Sequence, residues 1–203
     1  MPKLAPEAQQ ARRDHILDAA ERCFVEKGFH PATMADICRE ASVSPGAIYI
    51  YFVSKEELIA GLCEREMERF AKELGTVAEA SDFLAALQSL AGRLCCDEPL
   101  SKVRLHVEIR AEAGRNAAIR MAILEMDRVI SRAMISLIEQ EIALGRINPS
   151  LSPETIVRAM FALGDGLFLK RGLDPGFEPE PVIPAMMTMI SALLQPARRQ
   201  EDL

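Results

Sequence analysis

An all-α fold is predicted, on three observations. Apolar residues recur at three- and four-residue spacing along most of the chain, and no stretch alternates polar and apolar residues as a half-buried strand does. The periodic segments are also bounded by helix caps and stops: Thr33 with Asp36, Ser44-Pro45, Ser54 with Glu57, Ser152-Pro153, Gly28 and Gly145. A length of 203 residues, 49% of them hydrophobic, is enough for one small and one medium helical unit with real cores.

The elements follow in order. Residues 1–9 read as a flexible arm. From Arg12 to Lys27 the apolar residues Ile16, Leu17, Ala20, Cys23 and Phe24 share a helical face, and Gly28 is the stop. Thr33 caps a second helix, with Asp36 reaching back as a capping box and Ile37 facing inward. Ala41-Ser42-Val43 makes a turn with Val43 as its buried plug. Ser44 then caps a third helix with Pro45 at its first position. Ile48 packs inward, which sends Ala47, Tyr49 and Tyr51 to other faces, and Phe52 ends the helix against the first one. Ser54 with Glu57 opens a long helix to about Leu74.

Beyond Gly75 the spacing predicts helices over 81–96, from 100 to about 113, and over 116–144. The last carries Ile119, Ile123, Met126, Ile130, Ala133 and Leu137 in an apolar seam. Ser152-Pro153 starts a helix to about Lys170. A loop rich in proline and glycine, residues 172–181, leads to a final helix ending near Leu194. This divides the chain into an arm (1–9), a three-helix unit (10–53), a larger helical unit (54–195) and a flexible tail (196–203).

The only two tyrosines, Tyr49 and Tyr51, fall in the third helix. Two short helices joined by a tight turn, the second bearing exposed phenols, suit insertion into a DNA major groove. A phenol hydroxyl reaches a backbone phosphate, and its ring lies against sugar or a thymine methyl. Charge argues the other way. Net charge is −6, and the first sixty residues hold more acids than bases, so any attraction to phosphate rests on local placement.

The five cysteines stand at no metal-ligand spacing, and an odd, scattered set fits reduced thiols in a cytoplasm. The N-terminus has no apolar signal core, and the run from Val182 to Leu194 is too short to span a bilayer and contains Pro184. No membrane association is expected. No nucleophile–base cluster, phosphate loop or cofactor fingerprint is present, so neither an enzyme nor a cofactor or metal site is expected.

Residues 12–58 match a known pattern in order, spacing and type. Ala19-Ala20, Phe24, Gly28-Phe29, Thr33, Ile37, Val43-Ser44, Ile48-Tyr49, Tyr51-Phe52, Lys55 and Leu58 resemble the DNA-binding domain of TetR-family transcriptional repressors. The resemblance covers about a quarter of the chain, and the remainder fits by architecture alone. Ala162-Leu-Gly-Asp-Gly-Leu167 is most similar to the BetI-like subgroup.

The resemblance implies a homodimer that represses transcription on a palindromic operator in double-stranded DNA and is released by a small-molecule effector. It implies phosphate contacts from Thr33 and Lys55, groove-facing positions at Ser44, Gly46 and Ala47, backbone or base contacts from Tyr49 and Tyr51, and an anchoring role for Arg12 or Arg13. One departure is Ile50, where aromatic residues are frequent. The groove-facing positions carry no Arg, Asn or Gln for paired hydrogen bonds with a base, so specificity leans on methyl contacts and DNA shape.

In the larger unit, Phe83, Leu87, Met126, Met160 and Phe161 are candidates for an apolar effector lining. His106 and Asp165 are polar candidates; the alternatives are a satisfied histidine and a cap across a dimer seam. Leu163, Leu167, Met186, Met189, Ile190 and Leu193 are candidates for a dimer interface, because the last two helices are apolar over broad faces. With no tyrosine or tryptophan after Phe52, an aromatic cage for a choline-like cation is not supported, and an apolar or amphipathic effector fits better. Two rival readings remain: an all-helical protein-interaction module, and a regulator sensing thiol oxidation through Cys95 and Cys96.

Overall fold

The computed structural model describes residues 5–196. Among them the chain forms nine α-helices, one π-helical stretch and no strand; Ile147 and Pro196 form an isolated bridge. The helices are α1 (Pro6–Lys27), α2 (Met34–Glu40), α3 (Pro45–Ile48), α4 (Lys55–Ala78), α5 (Phe83–Gly92), α6 (Leu100–Glu112), α7 (Ala117–Ala143), α8 (Pro153–Leu173) and α9 (Val182–Leu194). Packing divides them into two units. Among the described residues, one takes in 5–66 together with Arg104–Met126; the other holds Met67–Val103 and 127–196. This division differs from the boundary expected after residue 53, because residues 104–126 of α6 and α7 belong to the first unit.

In the first unit, α1 buries Ile16, Leu17, Ala19, Ala20, Cys23 and Phe24 on one face. It ends at Gly28, whose φ of +83° is a left-handed conformation that side-chain-bearing residues rarely adopt. Ile37 and Cys38 of α2, Val43 of the turn, Ile48 of α3, and Phe52, Leu58, Ile59 and Cys63 close the same core. Gly61 sits where α4 passes α1. A Cβ there would lie 2.9 Å from a Leu17 methyl and 3.0 Å from the Phe52 ring, so the close approach requires glycine. Glu108 and Glu112 of α6 grip the loop after α1, as described below.

In the second unit, Leu74 and Val77 of α4 pack with Phe83, Leu87 and Leu90 of α5, Met134, Leu137 and Ile138 of α7, Ile156, Val157 and Leu167 of α8, and Ile183, Met186, Met187, Ile190 and Leu194 of α9.

Several boundaries differ from expectation. α1 begins at Pro6, a residue suited to the first helical turn, so residues 6–9 of the expected arm are helical. Residues 1–4 and 197–203 lie outside the described region, and Pro196 of the expected tail pairs with Ile147. α4 runs through Gly75 to Ala78. The cost of a mid-helix glycine is offset there by burial of Leu74 and Val77 on either side. The expected helix over 81–96 is α5, capped by Asp82 at Ala85, followed by a π-helical stretch from Arg93 to Asp97. α3 is short: Tyr49 is its C-cap, and the tyrosines lie in the turn that follows.

Candidate nucleic-acid interface and ligand cavity

Short-range polar bonds fix the segment from Thr33 to Glu57. The Thr33 hydroxyl accepts from Asp36 N (3.1 Å) and donates to Asp36 Oδ2 (2.7 Å), while Thr33 N donates to the same carboxylate (3.1 Å). This is the capping box expected from sequence. Lys27 sits 2.8 Å from Asp36. The Lys27 ammonium, and then the Thr33 bonds, hold the Asp36 carboxyl well below the usual carboxylate range. Ser44 Oγ accepts from Ala47 N (3.3 Å) at the start of α3. Ser54 Oγ accepts from Glu57 N (3.2 Å), and the Glu57 carboxylate reaches back to Val53 N (2.8 Å), one residue before the expected partner.

The end of α3 turns tightly. The Ile48 carbonyl accepts from both Tyr51 N and Phe52 N, each at 2.9 Å. Ile48 and Phe52, four residues apart, therefore share the inward face and are buried. Tyr49 is 50% exposed, Ile50 79% and Val53 61%. Tyr51 is half-buried against the core rather than presented freely. Thr33, Ser44 and Gly46 are exposed and Ala47 is half-buried.

Lys55 is placed differently from expectation. Its ammonium donates to the carbonyls of Phe29 (2.6 Å) and His30 (3.0 Å) and lies 4.5 Å over the Phe29 ring, so its first role is to hold the loop after α1. The same loop is held from α6. Glu108 accepts from Phe29 N (2.9 Å), and Glu112 pairs with His30 Nε2 (2.9 Å) and Arg115 Nε (2.5 Å). Sequence reasoning missed this latch, since its partners lie roughly eighty positions apart and carry no local signature. Arg13 pairs with Glu64 and stacks 5.2 Å over Phe52, an anchoring role, whereas Arg12 is exposed.

Acidity near the segment is largely absorbed internally. Asp36 pairs with Lys27, Glu40 with Arg22 (2.6 Å), Glu56 accepts from Asn116 (3.1 Å), and Glu57 caps α4.

The second unit encloses a small apolar cavity lined by Leu74, Phe83, Leu87, Met134, Leu137, Ile138, Met160 and Leu194. Its free volume is about 10 Å³, room for a single water-sized sphere. Three expected lining residues, Phe83, Leu87 and Met160, are there. Phe161 is half-buried in the same core without lining the cavity. Met126 packs in the first unit, and His106, also of that unit, accepts from Arg110 Nε (2.8 Å). Asp165 lies on the exposed side of α8.

The expected dimer residues divide in the same way. Leu167, Met186 and Ile190 are buried in the chain's own core, and Leu163 and Leu193 are half-buried against it. Met189 is exposed. Sequence reasoning missed Leu169 and Leu173, which join Ala162, Asp165 and Gly166 on an exposed stripe of α8; Ala185, Met189 and Ala192 form a matching stripe on α9.

Cys95 and Cys96 are free thiols. Burial, with neighbouring Cys96 adding to it, pushes the Cys95 thiol up to about 11, and burial raises Cys96 as well. A protonated thiol is a poor nucleophile, which argues against the redox reading.

Residues 16–62 match the family model described as bacterial regulatory proteins, tetR family. The chain is 29% identical over 171 residues to the HTH-type transcriptional regulator UidR of Escherichia coli K12, covering 82% of this chain and 84% of that one. Among solved structures it is similar to Salmonella enterica GusR, with a TM-score of 0.78 and 26% identity over 91% of this chain and 95% of that one. It is also similar in fold to Bacillus subtilis FadR in complex with stearoyl-CoA, with a TM-score of 0.73 and 20% identity over 87% of this chain and 96% of that one. Nothing in these matches singles out the BetI-like subgroup.

Proposed function

We propose that this chain, which belongs to the TetR family of transcriptional regulators, is a homodimeric repressor that binds a palindromic operator and leaves it when a small apolar or amphipathic effector binds. The observation that carries the reading is the pair of capped short helices, α2 and α3, closed on Ile48 and followed by a turn with Tyr49 and Ile50 exposed. Residues 10–53 serve DNA binding, and residues 54–195 serve effector binding and dimer formation.

Tyr49 contacts the DNA directly. Thr33, Ser44, Gly46 and Ala47 approach the backbone and groove edge. Tyr51, half-buried, contributes through its hydroxyl while its ring supports the turn. Lys55 acts on DNA chiefly by holding the loop that carries Thr33, with its remaining N–H able to reach a phosphate. A second copy of the chain covers the exposed stripes of α8 and α9, where Leu169, Leu173 and Met189 stand among small residues. Two-fold symmetry then matches two half-sites.

The effector site is the apolar cavity of the second unit. At its present size it holds no effector, so a ligand enters only by displacing Met134, Met160 and the leucines, adaptable side chains. That displacement supplies the difference in affinity between two states that any release mechanism needs. An acyl chain suits a lining of this kind, and FadR of Bacillus subtilis holds an acyl ligand, stearoyl-CoA.

Selection of bound duplexes from a random pool tests the reading. Enrichment of a palindrome by the wild-type chain, reduced for Tyr49→Ala, is expected. Absence of any enriched sequence at low salt contradicts it and favours the interaction-module alternative. On the enriched duplex, acyl-CoA thioesters of graded chain length are then expected to release the protein while leaving the dimer intact; equal binding with and without every ligand contradicts the apolar-effector assignment.

A further inference from the structure

We infer that Ile50 is a specificity-determining residue of this protein, reading the C5-methyl group of one thymine in each half-site. The inference rests on the DNA-binding reading above and deepens it. Geometry supplies the first argument. The Ile48 carbonyl bonds both Tyr51 N and Phe52 N, so residues 48–52 form one tight turn. Ile48 and Phe52 are locked inward, with Arg13 over the Phe52 ring and Gly61 admitting it closely. Residue 50, midway between them, faces the opposite way. At 79% exposed it is the most exposed large apolar side chain among the described residues. A β-branched side chain on a turn anchored at both ends presents its methyls in a nearly fixed direction.

Chemistry supplies the second argument. The neighbouring candidates offer little hydrogen-bond discrimination. Pro45, Gly46 and Ala47 have no polar side-chain atoms, the Ser44 hydroxyl is occupied as a cap, Tyr51 is half-buried, and Lys55 spends its bonds on two carbonyls. What this segment presents instead is the exposed side chains of Tyr49, Ile50 and Val53. In the major groove only thymine displays a methyl group, so an apolar reader separates thymine from the other bases by contact rather than by hydrogen bonding.

The test replaces each thymine of the enriched duplex with uracil, one symmetric pair at a time, which deletes the methyl and leaves base pairing intact. Affinity is read by fluorescence anisotropy at fixed salt. Burial of one methyl corresponds to about four-fold in affinity per half-site. One symmetric thymine pair is therefore expected to lose about fifteen-fold when both methyls go. Ile50→Ala should bind the thymine and uracil duplexes alike, and Ile50→Val should keep most of the discrimination. Because Ile50 is exposed, melting curves of both variants should match the wild type.

The inference is overturned if no thymine methyl matters, or if discrimination persists undiminished in Ile50→Ala. An equal loss by Ile50→Ala on both duplexes also overturns it, since it would mark a contact blind to the base. A pool that enriches no sequence sinks the DNA-binding reading itself. An enriched palindrome indifferent to uracil sinks only the role of Ile50.

Discussion

The reading segment of the first packing unit and the cavity of the second are held by different kinds of contact, although both units have apolar cores. In the unit with the reading segment, single side chains bond single backbone groups at fixed spacing: Thr33 with Asp36, Ser44 with Ala47, Ser54 with Glu57, Lys55 with Phe29 and His30, and Glu108 with Phe29. Around the cavity, leucines, methionines and a phenylalanine meet with no polar contact among them. Directed bonds fix angle and register, while apolar burial is non-directional and tolerates rearrangement among side chains of similar volume. The first arrangement suits a rigid template for a duplex; the second suits a site that must open for its ligand.

Paired core deletions probe this contrast with the largest expected effect. Ile48→Ala should lower stability by about 3 kcal/mol and abolish operator binding, because Ile48 is wholly buried and anchors the turn. Leu87→Ala, beside the existing cavity, should lower stability by about 2 kcal/mol yet leave operator affinity near wild type at a temperature where both proteins are folded. Urea titration and operator titration check the pair. Loss of operator affinity in Leu87→Ala would break the contrast.

The same difference decides what was legible in the sequence. The caps of α2, α3 and α8 are readable because each is a local signal: Thr33 with Asp36 three positions on, and a serine followed by proline at Ser44-Pro45 and Ser152-Pro153. Gly28 is readable because a left-handed stop calls for glycine. The latch of Glu108 and Glu112 on the loop after α1 was not, since only the tertiary fold brings them together. In the apolar unit, Leu167, Met186 and Ile190 looked like surface for a partner, but they are the chain's own core, while Leu169, Leu173 and Met189 are the exposed ones. Interchangeable aliphatic residues on a helix apolar over a broad face carry too little periodicity to tell the two sides apart. Asp165 could have marked the outward side, since a charged residue seldom sits in a core.

Matched caps sharpen the contrast at a smaller scale. Ser44→Ala on α3 and Ser152→Ala on α8 remove equivalent bonds, to Ala47 N and Thr155 N, each at 3.3 Å. Each should lower stability by about 1 kcal/mol, but only Ser44→Ala should also weaken operator binding. Equal operator affinity in the two variants would detach α3 from DNA reading.

Two smaller effects follow from the ionisable groups. Cys95, with its thiol pushed up to about 11, should resist alkylation in the native protein at neutral pH and react only on unfolding. Rapid labelling, or oxidant-sensitive operator binding lost in a Cys95→Ser, Cys96→Ser variant, would restore the redox reading. Asp36 titrates well below its ordinary value because Lys27 and Thr33 favour its charged form. Its contribution is therefore fully present above the unfolded-state carboxylate pKa of about 4 and fades as pH falls toward the lower folded value. The stability difference between wild type and Asp36→Asn should be constant near neutrality and shrink in acid, as read by urea titration at stepped pH.

The central claim, that the turn after α3 reads DNA, is tested most directly by titrating the enriched duplex with three proteins: wild type, Tyr49→Ala, and Leu124→Ala as an exposed apolar control elsewhere in the same packing unit. Melting curves should overlay for all three. The account predicts at least about ten-fold weaker binding for Tyr49→Ala, a loss of about 1.4 kcal/mol, and unchanged binding for Leu124→Ala. Undiminished affinity in Tyr49→Ala, or an equal loss in both variants, would contradict it.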